Sequence, residues 1–375
     1  MTAEPARGRH KRLAGVAAAS ALMLLLAACG SAGSHAAPRP PSGGGAPPVP
    51  VPAGGSSPVS NPGPAGTPTA AGGSSQAGAA TGLYVDPGNP LFAGARLLRA
   101  EHQATEAAQV LALAQTPSAL WASGQSDEME QVRQVTQAAA SARQVPVIVA
   151  YNLPDRDACG KFSASAGTSP AGYRSWVNQL AAAIGGGGDI VIVEPDAVPD
   201  IVNGCLTPTQ VTERYQLLQY AMSRLGALPH AQVYLDAGNP GMFPNPAQLV
   251  ASLRQAGISD GRGFSANVSN FQWTGNVIGW SQRLESALGG NDRAVIDTSR
   301  SGNGPYTGPD SPQWCNPPGR APGPAPTLHP GPPGVSAYLW IKDPGISDGP
   351  CNGGPAAGQF WLQYALQLAQ AGHLS

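Results

Sequence analysis

Asp189-Ile190-Val191-Ile192-Val193-Glu194-Pro195-Asp196 is the stretch whose reading decides the fold. Its first half is a short, continuous run of β-branched apolar residues, as a strand buried on both faces requires. Pro195 cannot donate to a ladder, so the strand stops there, with the carboxylates Glu194 and Asp196 just beyond it. The same pattern of apolar strand then acid recurs along the chain. It predicts an α/β fold whose strand ends converge on one acidic rim.

Residues 83–375 carry this pattern and form one block, large enough for a single α/β barrel. Strands are expected at Val145–Ala150, Ile190–Val193, Gln232–Leu235, Gly263–Val268, Ala294–Ile296 and Val335–Ile341. Helices are expected at Tyr173–Ile184, from the cap Thr207 to about Leu225, and at Pro246–Ala256, Val277–Leu288 and Ala356–Ala371. Thr207-Pro208-Thr209-Gln210 reads as a capping box with Pro in the first turn. Alternation of this kind argues for a parallel sheet with crossover helices. Gly185–Gly188 precedes a strand and lacks a following Lys-Ser/Thr, so it reads as a turn and not a phosphate cradle.

The strand ends carry the informative residues. Tyr151, Asp155, Arg156 and Asp157 follow the first expected strand, Glu194 and Asp196 the second, and Asp236 the third. Asn267, Asn270, Asp297, Arg300, Lys342 and Asp348 continue the series. Any one of them could be a loop acid or a helix cap. In succession they describe the mouth of a barrel, where strand C-termini meet.

The chain has 375 residues, 11% of them charged, and a formal net charge of -1. That balance gives no basic surface for nucleic acid. Residues 1–28 read as an export signal, with Arg7, Arg9, Lys11 and Arg12 ahead of the apolar run Leu13–Ala28. The run is too short for a comfortable membrane span. Leu26-Ala27-Ala28-Cys29-Gly30 resembles a bacterial lipoprotein box, which implies lipidation of Cys29 and membrane attachment through that anchor alone. Residues 29–82 are rich in Pro, Gly, Ser and Ala with a single charged side chain after the cysteine, Arg39, and read as a disordered tether. A flexible chain of that length reaches roughly 40 Å.

Cys159, Cys205, Cys315 and Cys351 remain, an even set in an exported chain, and three pairings are open to them. No C-x-x-C occurs and the six histidines are scattered, so a metal site is not expected. Several carboxylates, no histidine at a strand end and no nucleophile elbow suit a bond that needs protonation, with no cofactor. Glycoside cleavage fits, since one carboxyl protonates the leaving oxygen while another activates water or attacks the sugar. Trp121, Trp273 and Trp314 sit in polar or turn-rich settings, where an indole face can stack on a sugar ring.

Tyr151-Asn152-Leu153-Pro154-Asp155-Arg156-Asp157 and Val191-Ile192-Val193-Glu194-Pro195-Asp196 resemble the two signatures of glycoside hydrolase family 6, the cellulases. Tyr84-Val85-Asp86-Pro87, Thr116–Trp121, Tyr234–Gly238, Asn267–Phe271, Ile296–Arg300, Trp314–Pro317 and Trp340–Lys342 are similar in family order. The resemblance implies a distorted parallel β/α barrel of about seven strands rather than eight, acting as a monomer on a β-glucan with inversion. It implies Asp196 as the general acid, Asp157 raising the pKa of Asp196 and handling the water's proton, and Asp348 as the proposed base. Tyr151 would press on the distorted sugar, Asp236, Asn267 and Lys342 would bind hydroxyls, and Trp121 and Trp314 would stack on the glycone. Glu194 would be structural. Sequence order and the resemblance together favour the disulfides Cys159–Cys205 and Cys315–Cys351.

The chain departs from the pattern at four places. Asn239 stands where the family has His, Met242 where it has Trp, Ile346 where it has an acid, and Ala158 is inserted after Asp157. The insertion leaves Ser163 and Ser165 as alternative water-holding serines. The short, Pro/Gly-rich segment between Cys315 and Cys351 implies an open cleft and internal cutting. A non-catalytic carbohydrate-binding lipoprotein is the competing expectation.

Overall fold

The protein is described by a computed structural model over residues 82–163, 168–309 and 312–374. The export signal, Cys29, the tether up to residue 81 and Ser165 lie outside the described residues.

Seven strands form one sheet in sequence order, and every neighbouring pair is parallel. They are β1 (Leu120–Ala122), β2 (Val147–Ala150), β3 (Ile190–Val193), β4 (Gln232–Asp236), β5 (Gly263–Ala266), β6 (Arg293–Asp297) and β7 (Val335–Leu339). No ladder joins β7 to β1 among the described residues. The seam is crossed instead by Ala119 N donating to Trp340 O at 3.0 Å and Trp121 Nε1 donating to Ile341 O at 2.8 Å. The sheet is therefore a curled, incompletely closed barrel.

The run in β3 divides by alternation. Ile190 and Ile192 face the barrel interior with Val147, Val149, Tyr234, Val295 and Leu339. Val191 and Val193 face outward into the larger core shared with the helices. Those helices are α1 (Pro90–Ala100), α2 (Ala104–Ala114), α3 (Glu128–Ala142), α4 (Pro170–Ile184), α5 (Ala197–Val202), α6 (Pro208–Gly226), α7 (Val250–Gln255), α8 (Thr274–Leu288) and α9 (Leu362–Ala371). α1, α2 and α9 enclose a third cluster around Trp340.

The expected strands are present with shifted ends, and β1, whose three residues are too few to show a period, was not among them. α1, α2 and α3 were not read from the sequence either. The expected helix Ala356–Ala371 starts only at Leu362, because the segment before it runs beside the 345–347 loop: Trp361 N donates to Gly345 O, and Ile346 bridges to Phe360. Pro246–Ala256 divides into a 3-10 turn at Pro246–Leu249 followed by α7. Thr207 and Gln210 form the capping box at the start of α6. Both favoured disulfides are made, Cys159–Cys205 and Cys315–Cys351.

Asp189, the first residue of the opening stretch, lies at the opposite end of β3 from the rim. It is 1% exposed, and neither carboxyl oxygen has a hydrogen-bond partner. Burial pushes its pKa up to about 6. A folded-state pKa above the unfolded value means the group does no harm at low pH, and stability is lost as pH rises from about 4 to 6. Asp189→Asn should match the parent's melting temperature near pH 4 and melt higher above pH 7, where its unfolding free energy is greater by up to about 3 kcal/mol. Equal melting temperatures at pH 8 would show that Asp189 has a partner in solution.

Candidate active site

The backbone turns abruptly where β2, β3 and β5 reach the rim. Asp155, Asp157, Glu194, Asp196, Asn267 and Ser269 all have positive φ, between 46° and 68°. Such conformations cost of order 1 kcal/mol or more each for residues with a Cβ, and persist only where surrounding bonds impose them.

Those bonds are made largely by carboxylates. Glu194 accepts from Asn152 N (3.1 Å), Leu153 N (3.1 Å) and Tyr173 Oη (2.9 Å), which ties the end of β2 to β3. Burial pushes its pKa up to about 7, although these donors oppose the rise. Asp236 accepts from Asp196 N (3.0 Å), Gly238 N (3.2 Å) and Ser265 Oγ (3.0 Å), and so joins β3, β4 and β5. Burial raises it to about 6. Asp297 accepts from Ser269 N and Ser299 N, both at 2.9 Å, and Lys342 N at 3.0 Å, joining β5, β6 and β7. At the start of α3, Glu128 does the same for β1, accepting from Ser123 N, Gly124 N, Gln125 N and Trp176 Nε1.

Asp196 is different. It caps α5 with no side-chain bond to the helix, and its carboxyl has no hydrogen bond from any described residue. Part of its surface stays open to the mouth. Burial first, then the negative charges of Asp236, Asp200 and Asp157, hold its pKa well above the ordinary value, with Arg214 opposing. A carboxyl in this setting keeps its proton at pH values where an ordinary aspartate has lost it.

Across the mouth, Asp157 Oδ2 accepts from Phe162 N (2.8 Å), Ser163 N (2.7 Å) and Ser163 Oγ (2.9 Å). Ser163 Oγ also lies 3.0 Å from Tyr151 Oη. Of the two alternative serines, Ser163 is thus bonded to both Asp157 and Tyr151. The Tyr151 ring meets the edge of Trp121 at 5.3 Å between centroids and carries the Arg156 guanidinium 4.7 Å from its centre. Burial and then Asp196 hold the Tyr151 phenol well up, so it stays neutral.

Asp348 sits among cations. Arg300 binds it through two nitrogens at 2.8 and 3.0 Å, Lys342 Nζ lies at 3.1 Å, and Asn316 N donates at 3.0 Å. Burial alone would raise its pKa, but Arg300 and Lys342 outweigh burial and hold it below the usual value. Lys342 Nζ lies 5.9 Å from the centre of the Trp121 ring, so this network and the aromatic wall share one side of the mouth. Arg300 is wholly buried and stacked 4.2 Å from Phe271. The sequence reading named Arg300 only as a strand-end residue. Asn316, next to Cys315, locks the loop by bonding Ser347 Oγ and Gly349 O.

Asn267 is wholly buried, donating to Asp297 O (2.9 Å) and accepting from Gln272 N (3.2 Å). Trp314 is 38% exposed, with its ring 5.6 Å from that of Phe162. At the departures, Asn239 folds back on its own turn, accepting from Gly241 N and Met242 N, while Met242 is exposed. The inserted Ala158 donates its N–H to Asp200 at 2.8 Å.

Comparison with known proteins agrees with this geometry. Residues 79–372 match the glycosyl hydrolases family 6. Endoglucanase 1 of Streptomyces sp. (strain KSM-9) is 41% identical over 258 residues, covering 68% of this chain and 69% of that one. Endoglucanase A of Cellulomonas fimi is 39% identical over 293 residues, covering 77% and 61% respectively. Among solved structures, the endoglucanase Cel6 of Mycobacterium tuberculosis, in complex with methyl-cellobiosyl-4-deoxy-4-thio-β-D-cellobioside, superposes with a TM-score of 0.71. It has 38% sequence identity, and the match covers 79% of this chain and 98% of that one. The rim of strand-end carboxylates and the two signatures therefore have their explanation in descent: the chain belongs to glycosyl hydrolase family 6 and is a glycoside hydrolase.

Proposed function

We propose that the protein hydrolyses internal β-1,4-glucosidic bonds of cellulose or a related β-glucan, with inversion. The observation that carries the reading is Asp196: a carboxyl at the mouth, free of hydrogen bonds from described residues and with its pKa held up by burial and neighbouring anions. Such a group is suited to give its proton to a glycosidic oxygen as the bond to the anomeric carbon breaks. Water adds to that carbon from the opposite face, and its proton passes through Ser163 to Asp157, whose Oδ2 already bonds that serine. Exchange with solvent then returns a proton to Asp196.

Asp348 is assigned a different part from the base implied by resemblance. A carboxylate stabilised by Arg300 and Lys342 binds a proton weakly, so it makes a poor acceptor. Its role is to hold Lys342 beside Trp121 and to fix the loop of Cys315 and Asn316. Lys342, Trp121 and Trp314 are the groups available for sugar hydroxyls and faces, and Tyr151 is placed to press on the ring at the cleavage point. Asp236 and Asn267 are buried and already bonded, so they support the rim that the sugar contacts. The competing reading, a binder without activity, is not favoured, because the departures at Asn239, Met242 and Ile346 leave every candidate acid in place. Export on the N-terminal signal and retention through a lipidated Cys29 complete the proposal, and two disulfides accord with an oxidising compartment.

Asp196→Asn should lower the release of reducing sugar from soluble cellulose by on the order of a thousandfold or more, with no loss of melting temperature. A fully active variant would remove Asp196 from the role of donor. Internal cutting should drop the viscosity of soluble cellulose well before reducing ends accumulate. Release of cellobiose alone at constant viscosity would contradict it.

A further inference from the structure

The loop that carries Asp157 is suspended from a buried ion pair that the proposed mechanism does not use. Asp200 and Arg214 lie 3.1 Å apart, with side chains 3% and 2% exposed. Asp200 Oδ2 accepts from Ala158 N at 2.8 Å, just after Asp157, and Oδ1 accepts from Cys159 N at 3.4 Å. Arg214 Nη2 donates to Asp155 O at 2.5 Å and Pro154 O at 3.4 Å, on the other side of Asp157. Its Nη1 reaches Ala197 O at 3.3 Å, the first residue of α5. Asp200 is one turn from Asp196 on that helix, and its N–H donates to Asp196 O at 2.8 Å. The Cys159–Cys205 disulfide ties the same loop to the chain beyond α5.

We propose that Asp200 and Arg214 are positioning residues, which fix Asp157 against the proton donor Asp196 and accommodate the inserted Ala158. The proposal rests on the reading of Asp196 as donor. Every bond that holds the backbone on either side of Asp157 to this pair also leads, within one helical turn, to Asp196. Stability alone gives little reason for such a pair, because two charges removed from water recover their desolvation penalty only in part. Holding Asp157 at a φ of 53°, a conformation that a residue with a Cβ disfavours, is a constraint the pair can meet.

The pair also acts on the donor through charge. The groups facing Asp196 are Asp236 at the end of β4, Asp200 on α5, Asp157 and the Tyr151 phenol beyond β2, and Arg214 on α6. Asp200 raises the donor's affinity for its proton more than Arg214 lowers it. Neutralising both should therefore let the proton leave at lower pH.

The test uses the double variant D200N/R214Q of the full chain, because removing one partner alone strands the other charge in the interior. Hydrolysis of cellopentaose is followed against pH, alongside thermal melting. The expected melting temperature is within a few degrees of the parent. The alkaline limb of kcat/KM should move down by roughly half a pH unit or more, and kcat should fall on the order of tenfold with KM within about twofold. A folded double variant with the parent's limb and kcat would overturn the proposal, as would one that unfolds, which would assign the pair to the fold. An active Asp196→Asn variant would show that the donor reading failed. An inactive one, beside a parent-like double variant, would show that only the positioning inference failed.

Discussion

Parallel strands that stop at a common rim leave the N–H groups of the following turns buried and in need of acceptors. Carboxylates supply them here. Glu128, Glu194, Asp236 and Asp297 each accept from two or more backbone N–H groups, and between them they fasten the end of every strand to a neighbour or to the helix layer. Burying these polar groups is tolerable on such terms, since each has the hydrogen-bond partners that the interior would otherwise deny it. The sheet needs this fastening because among the described residues its seam is crossed by single hydrogen bonds, such as Ala119 N to Trp340 O and Trp121 Nε1 to Ile341 O, where a closed barrel would have a ladder.

Against that background, Asp196 gains its chemistry from what it lacks. Its neighbours are engaged with the backbone, with Ser163, or with cations, whereas its own carboxyl accepts no hydrogen bond from a described residue. Burial and then the surrounding anions raise its pKa, so the scaffold that holds the strand ends also bears on the protonation of Asp196. Asp348 shows the converse. Two cations stabilise its charge, and the same contact fixes Lys342 beside the aromatic wall. Two acids at one rim thus reach opposite behaviour through their neighbours, with no difference in the side chain itself.

How much was legible in the sequence follows the same division. The strand Ile190–Val193 was readable because it is a continuous apolar run, and the helix after Thr207 because its capping box is a local signal. β1 was missed since three residues have no period, and α1, α2 and α3 on either side of it were not read from the chain. Acids at successive strand ends marked the rim correctly, but spacing could not separate fasteners from a proton donor. That separation depends on which N–H groups lie within reach in three dimensions, and for Asp196 the sequence offered it only as an implication of family resemblance. Asn267, whose motif implied contact with sugar, bonds Asp297 and Gln272 through its amide, a detail no local pattern carries. Glu128 and the Asp200–Arg214 pair left no signal, because their partners are backbone atoms distant along the chain.

The neighbours of Asp196 hold its pKa up and those of Asp348 hold its pKa down. Carbon-13 labelling of aspartate carboxyls, read by NMR across a pH titration and assigned with Asp196→Asn and Asp348→Asn, measures both directly. The expected carboxyl resonance of Asp196 remains protonated well above pH 3.8, the ordinary aspartate value, and that of Asp348 remains ionised below it. Titration of Asp196 at or below that ordinary value would contradict it.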